Sequence, residues 1–89
     1  MNIKISKVGY YHPSNANWSY QIFHLESDKA VFKATSTFGA DYRLKEALTD
    51  LGYKVETGYI GDYEMRYRDI KGLLDIDNDL QKVIEKLTK

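Results

Sequence analysis

Two histidines, three alternating aspartates and tyrosines interleaved with arginines are the residues of this chain whose types could do chemistry. His12 precedes Pro13 in a loop pattern, and His24 lies between Phe23 and Leu25 in a strand pattern. No cysteine is available to partner either histidine. Nothing in the chain matches a nucleophile motif, a phosphate-cradling loop or a dinucleotide fingerprint. The glycines of "GYIGDY", Gly58 and Gly61, are spaced as a turn signal. No catalytic residue is therefore assigned, and a non-enzymatic chain is expected.

In "DIDNDL", Asp75, Asp77 and Asp79 alternate like the opening of a calcium loop. Such a loop next needs glycine at its sixth position and glutamate at its twelfth. Those positions hold Leu80 and Lys86. The aspartates read instead as caps and as favourable charge at a helix N-terminus, and neither a metal nor another cofactor is expected.

"YEMRYRDIK" sets Tyr63 and Tyr67 among Arg66, Arg68 and Lys71. Aromatic and basic groups on one side could stack bases and meet phosphates. Strand alternation puts the tyrosines and the arginines on opposite faces, and Asp62, Glu64 and Asp69 cancel the positive field. The tyrosines read as core, and nucleic acid is not expected as a direct ligand. A tyrosine-lined pocket for a nucleotide or other small ligand is the alternative, with Lys33, Arg66 and Arg68 as its cations.

The bulk numbers narrow the classes further. Eighty-nine residues with zero formal net charge make one small domain, 1–89. A core this small leaves a thin stability margin. With no disulfide or thiolate metal site to add to it, the eight tyrosines must contribute. Residues 1–40 carry four basic and two acidic side chains, and residues 41–89 carry nine and eleven. Neither half has the basic excess of a general nucleic-acid binder. No apolar run approaches the length of a membrane span, and the alternating N-terminus is not a secretory signal. The expected location is cytoplasmic, which the absence of cysteine fits.

The pattern predicts an α+β fold. It has an antiparallel sheet of about five strands and two helices packed on one face, in the order β-β-β-α-β-β-α. The first strand runs over about 2–11. Ile3 and Ile5 share one face, Val8 and Tyr10 the other, so a bulge is expected near Lys7 or Gly9. Strands over about 18–26 and 29–37 form a hairpin on a Ser27-Asp28 loop, with Leu25 opposite Ala30 and Phe23 opposite Phe32. One face then holds Phe23, Leu25, Ala30, Phe32 and Ala34. A helix over about 40–52 carries Leu44, Ala47, Leu48 and Leu51 and stops at Gly52. A second hairpin is expected over 53–67 on the loop Ile60-Gly61-Asp62, pairing Tyr59 with Tyr63 and Glu56 with Arg66. The last helix, about 79–87, carries Leu80, Val83, Ile84 and Leu87, with Asn78 and Gln81 as a capping box.

The opposite face of the first hairpin carries Trp18, Tyr20 and Ile22, and Tyr11 joins it from the first strand. Tyr and Trp bury area while keeping a polar handle, which suits interaction surfaces. The expected function is accordingly a non-enzymatic protein-interaction module, binding a protein partner or a second copy through Tyr11, Trp18, Tyr20 and Ile22. An inhibitor from a phage or mobile element, acting by occupying a partner's surface, is one form of it. No membrane partner is expected.

Overall fold

The structure is a computed structural model that describes residues 2–37 and 39–89. It is a small α+β domain whose elements are β1 (Asn2–Tyr11), β2 (Tyr20–Glu26), β3 (Val31–Ser36), α1 (Ala40–Asp50), β4 (Lys54–Glu64), α2 (Tyr67–Ile70), β5 (Leu74–Asp75) and α3 (Leu80–Thr88). The five strands form one sheet in the order β4-β1-β2-β3-β5. The sheet is mixed, not antiparallel as predicted. β1–β2 and β2–β3 are antiparallel, while β4 joins β1 and β5 joins β3 in parallel.

The largest correction concerns residues 53–67. They do not form a hairpin. Lys54–Glu64 is one strand on the outer side of β1, with Asn2–Lys7 facing Lys54–Tyr59 and Gly9–Tyr10 facing Tyr63–Glu64. Ile60, Gly61 and Asp62, predicted as the hairpin loop, are a bulge opposite Val8. The pairs Tyr59–Tyr63 and Glu56–Arg66 therefore do not form. β1 provides a continuous partner along the whole segment, so the turn residues bend a strand and do not reverse it.

The bulge expected in β1 is present, with the register shifting between Lys7 and Gly9. It redirects the residues that follow: Gly9 faces Ile22 and Tyr11 faces Tyr20. Tyr11, not Tyr10, therefore joins Val8 in the second apolar cluster. β2 begins at Tyr20, not Trp18. The turn after it has four residues, Ser27–Ala30, so Phe23 faces Ala34 and Leu25 faces Phe32. The Ser27 hydroxyl closes that turn, accepting from the Lys29 and Ala30 amides and donating to the Leu87 carbonyl at 2.6 Å. The register lies two residues from the predicted one. Because side chains alternate with period two, that shift leaves Phe23, Leu25, Phe32 and Ala34 on one face.

α1 and α3 pack on this face, as expected. Ala40, Leu44 and Leu48 from α1 and Val83, Ile84 and Leu87 from α3 close on Ile3, Ile5, Phe23, Leu25 and Ala34. Leu51 departs from the predicted stripe; it caps α1 and is exposed. Gly52 follows at φ +97°, the left-handed stop its position suggests. The predicted capping box of α3 is absent. Its N-cap is Asp79, whose carboxylate accepts from the Asp75 amide.

The connections explain the two faces. β3 runs parallel to β1, so α1 crosses one face from β3 to the far edge, where β4 lies. The chain returns from β4 to β5 through α2, and Met65, Ile70 and Leu73 on that return pack against Val8 and Ile22 on the other face. The sheet is thus covered on both sides, by α1 and α3 on one and by the β4–β5 connection over part of the other.

Candidate interaction surface

The candidate surface is built on that second cluster. Cross-strand pairing of Tyr11 with Tyr20 stacks their rings, with centroids 6.2 Å apart and planes 20° apart. Trp18, two residues before Tyr20, meets it edge-on at 5.0 Å and 81°. On the other side Tyr67, in the first turn of α2, leans on Tyr11 at 6.1 Å. Four rings therefore run in the order Trp18–Tyr20–Tyr11–Tyr67, from the β1–β2 loop across two strands to α2. Edge-on and offset contacts of this kind suit aromatic quadrupoles.

The end rings are open and the middle rings half-buried: Trp18 is 36% exposed and Tyr67 60%. Ile22 is only 1% exposed, so it supports the rings from beneath and offers no contact surface of its own. The loop before Trp18 is tied at its base, where His12 Nδ1 and Ser19 Oγ share a hydrogen bond at 3.1 Å. The Pro13 carbonyl accepts from the Ala16 amide inside it. Tyr67 is positioned from the α2 side. The Asp69 carboxylate accepts from the Arg66 amide at 2.9 Å and fixes the start of that turn. The sequence pattern predicts Tyr67 in the core; its place in a helical turn, not a strand, turns it outward.

The edge strand holds further exposed apolar area in Tyr59, Ile60 and Tyr63. The sequence pattern places Tyr59 and Tyr63 inside and Ile60 in a loop. They stand on an edge and a bulge, and among the described residues no second strand covers them.

The cations proposed for a small ligand are not brought together. Lys33 sits on β3, level with His24 and Ser6 through the strand register. Arg66 and Arg68 lie beyond Met65, whose amide binds the Tyr10 carbonyl. Four residues of β1 separate those levels, roughly 13 Å along the strand. A cavity of about 330 Å³ opens elsewhere, at the end of the sheet near the β2–β3 turn. It is lined by Asn2, Ile3, Lys4, Glu26, Ser27, Asp28, Val31 and Glu56, none of them a tyrosine. Three carboxylates against one lysine make it a poor host for phosphate.

The aspartates of "DIDNDL" hold the chain together. Asp77 accepts from the Thr37 amide at 2.8 Å, from the Thr37 hydroxyl and from Arg43 at 3.0 Å. Asp75 accepts from the Asp77 amide and from Asn78. Partial burial pushes the Asp77 carboxyl up, but the Thr37 and Arg43 donors outweigh it and hold the group below its ordinary value. Among the described residues no group of three or more His, Asp or Glu side chains converges as metal ligands. Among them also, no helix is long and apolar enough to cross a membrane.

No protein-family model matches the chain, and no match is found among curated proteins or solved structures.

Proposed function

We propose that the protein is a non-enzymatic interaction module that binds a partner protein through the ring row Trp18–Tyr20–Tyr11–Tyr67. The observation that carries this is the combination of open end rings with a buried apolar base of Val8, Ile22 and Ile70. Aromatic anchors held in place lose little freedom on binding, which favours affinity. Tyrosine hydroxyls and the indole N–H around apolar ring area suit a protein surface. An inhibitor that covers a partner's working surface, as a phage- or mobile-element-encoded cytoplasmic protein would, fits this design. Ile22 belongs to the support of the surface, and Tyr67 is added to the contact residues named from sequence.

The test is comparative capture. Immobilised native chain and a Trp18→Ala/Tyr67→Ala variant of unchanged melting temperature are exposed to the same host lysate. A specific protein retained by the native chain and lost with the variant is expected, and its direct binding to purified native chain should weaken at least tenfold in the variant. Equal retention by both chains would refute the surface.

A further inference from the structure

The two edges of the sheet are finished differently. One ends in β5, a two-residue strand. The other is β4, eleven residues long and, among the described residues, hydrogen-bonded to a strand on one side only. Long open edges invite another strand, and proteins usually deter it with charge or a bulge. β4 has both, but they are arranged unusually. The bulge at 60–62 leaves a regular run over Lys54–Tyr59. In that run Lys54 and Glu56 are exposed, lie two residues apart on one face and flank Val55. Among the described residues the ion pairs are Lys7–Asp62 and Arg43–Asp77, so neither Lys54 nor Glu56 is committed within the chain.

We propose that β4 pairs antiparallel with β4 of a second copy, about a two-fold axis through Val55. Antiparallel pairing about a two-fold normal to the sheet keeps faces in common, so residues of equal parity oppose each other. Centred on Val55, Lys54 of each copy faces Glu56 of the other, giving two reciprocal opposite-charge pairs. The ladder covers Lys54–Glu56 of each copy, with Thr57 beside Tyr53, the residue that precedes the strand. Within the run, a centre at Lys54 or Glu56 sets that charge against itself, a centre at Thr57 forms no charge pair, and a centre at Gly58 depends on Asp62, which lies in the bulge and is paired with Lys7. The charges that would repel a foreign strand therefore select this one. The product is a continuous ten-stranded sheet with α1 and α3 of both copies on the same face.

This inference stands apart from the Trp18 surface, and charge exchange tests it. By light scattering after size exclusion, the native chain at high micromolar concentration is expected at twice its 10.3 kDa mass. Lys54→Glu alone and Glu56→Lys alone should each run as monomers. An equimolar mixture of the two should return to the doubled mass, because both interfacial pairs are then opposite in sign. The double variant carrying both substitutions should dimerise by itself, and Trp18→Ala/Tyr67→Ala should stay dimeric. Circular dichroism confirms folding of each variant. A monomeric native chain would overturn the proposal, as would single variants that remain dimeric or folded variants whose mixture stays monomeric.

Discussion

Asp77 joins three segments that are distant in sequence: the end of β3 through Thr37, α1 through Arg43, and the approach to α3 on which it stands. Its side chain is only 16% exposed. Removing it leaves the Thr37 donors without their acceptor and Arg43 without its partner. Hydrogen bonds to a charged group contribute ~1.5–3 kcal/mol, so Asp77→Ala is expected to lose that much in urea unfolding at neutral pH. The depressed carboxyl fixes the sign of the pH effect. Its contribution is complete above the ordinary carboxylate pKa and disappears as pH falls through the lowered folded value. The variant's stability should therefore decline less steeply in acid than the native chain's, and parallel acid profiles would contradict this. Gly9 is the second residue whose type is dictated by structure. A Cβ there would collide with the backbone carbonyl of Tyr63, on the strand it pairs with. Gly9→Ala must push β4 away from β1 and should cost ~1–3 kcal/mol, the usual range for overpacking. An unchanged denaturation midpoint would show that the bulged segment yields freely.

Among the elements, the β2–β3 turn is closed by the Ser27 amide on the Ala30 carbonyl and by the Ser27 hydroxyl, which also reaches α3. Ser27 Oγ accepts two amides of the turn and donates to the last turn of the helix through the Leu87 carbonyl. Ser27→Ala is expected to cost ~1–3 kcal/mol by leaving these groups short of partners. It should also raise amide exchange at both Ala30 and the C-terminal turn of α3; protection lost at the turn alone would detach the two. This turn also shows what local sequence conveys. Alternation places Phe23, Leu25, Phe32 and Ala34 on the correct face although the turn has four residues and not the predicted two, since a two-residue slip preserves parity. The phase change at Val8 announced the β1 bulge, and the stripe Leu80-Val83-Ile84-Leu87 announced α3. The fate of 53–67 was not legible. Alternating apolar residues around Gly61-Asp62 satisfy a hairpin and a bulged strand equally, and only the position of β1 decides between them. For the same reason the tyrosines of that segment were placed inside. The ring row was half visible: Tyr11, Trp18 and Tyr20 are close in sequence, whereas Tyr67 joins them only because α2 returns across the sheet.

At the scale of the whole molecule, a sheet with a dressing on each face could unfold in one step or two. The larger cluster, under α1 and α3, and the smaller, under α2, share the strands that separate them. Ile5 and Val8 stand three residues apart on β1, one in each cluster, and Ile22 and Phe23 are adjacent on β2. Neither cluster can lose its strand backbone without disturbing the other. The chain path strengthens this coupling. α1 leads from β3 to the β4 edge over one face, and α2 leads back to β5 over the other, so both sheet edges depend on both crossings. Unfolding is therefore expected to be cooperative. Two probes report separately on the two faces: far-ultraviolet circular dichroism on α1 and α3, and Trp18 fluorescence on the ring row. Their denaturant midpoints should coincide in the native chain. Ile70→Ala empties space on the α2 face alone, where Ile70 is 8% exposed. Deleting a buried aliphatic side chain costs ~2–5 kcal/mol, and both probes should move together by that amount. If Trp18 reported an earlier transition while the circular dichroism midpoint stayed fixed, the α2 face would be an independently melting layer, and the proposed binding surface would lack the rigid support that its ring geometry implies.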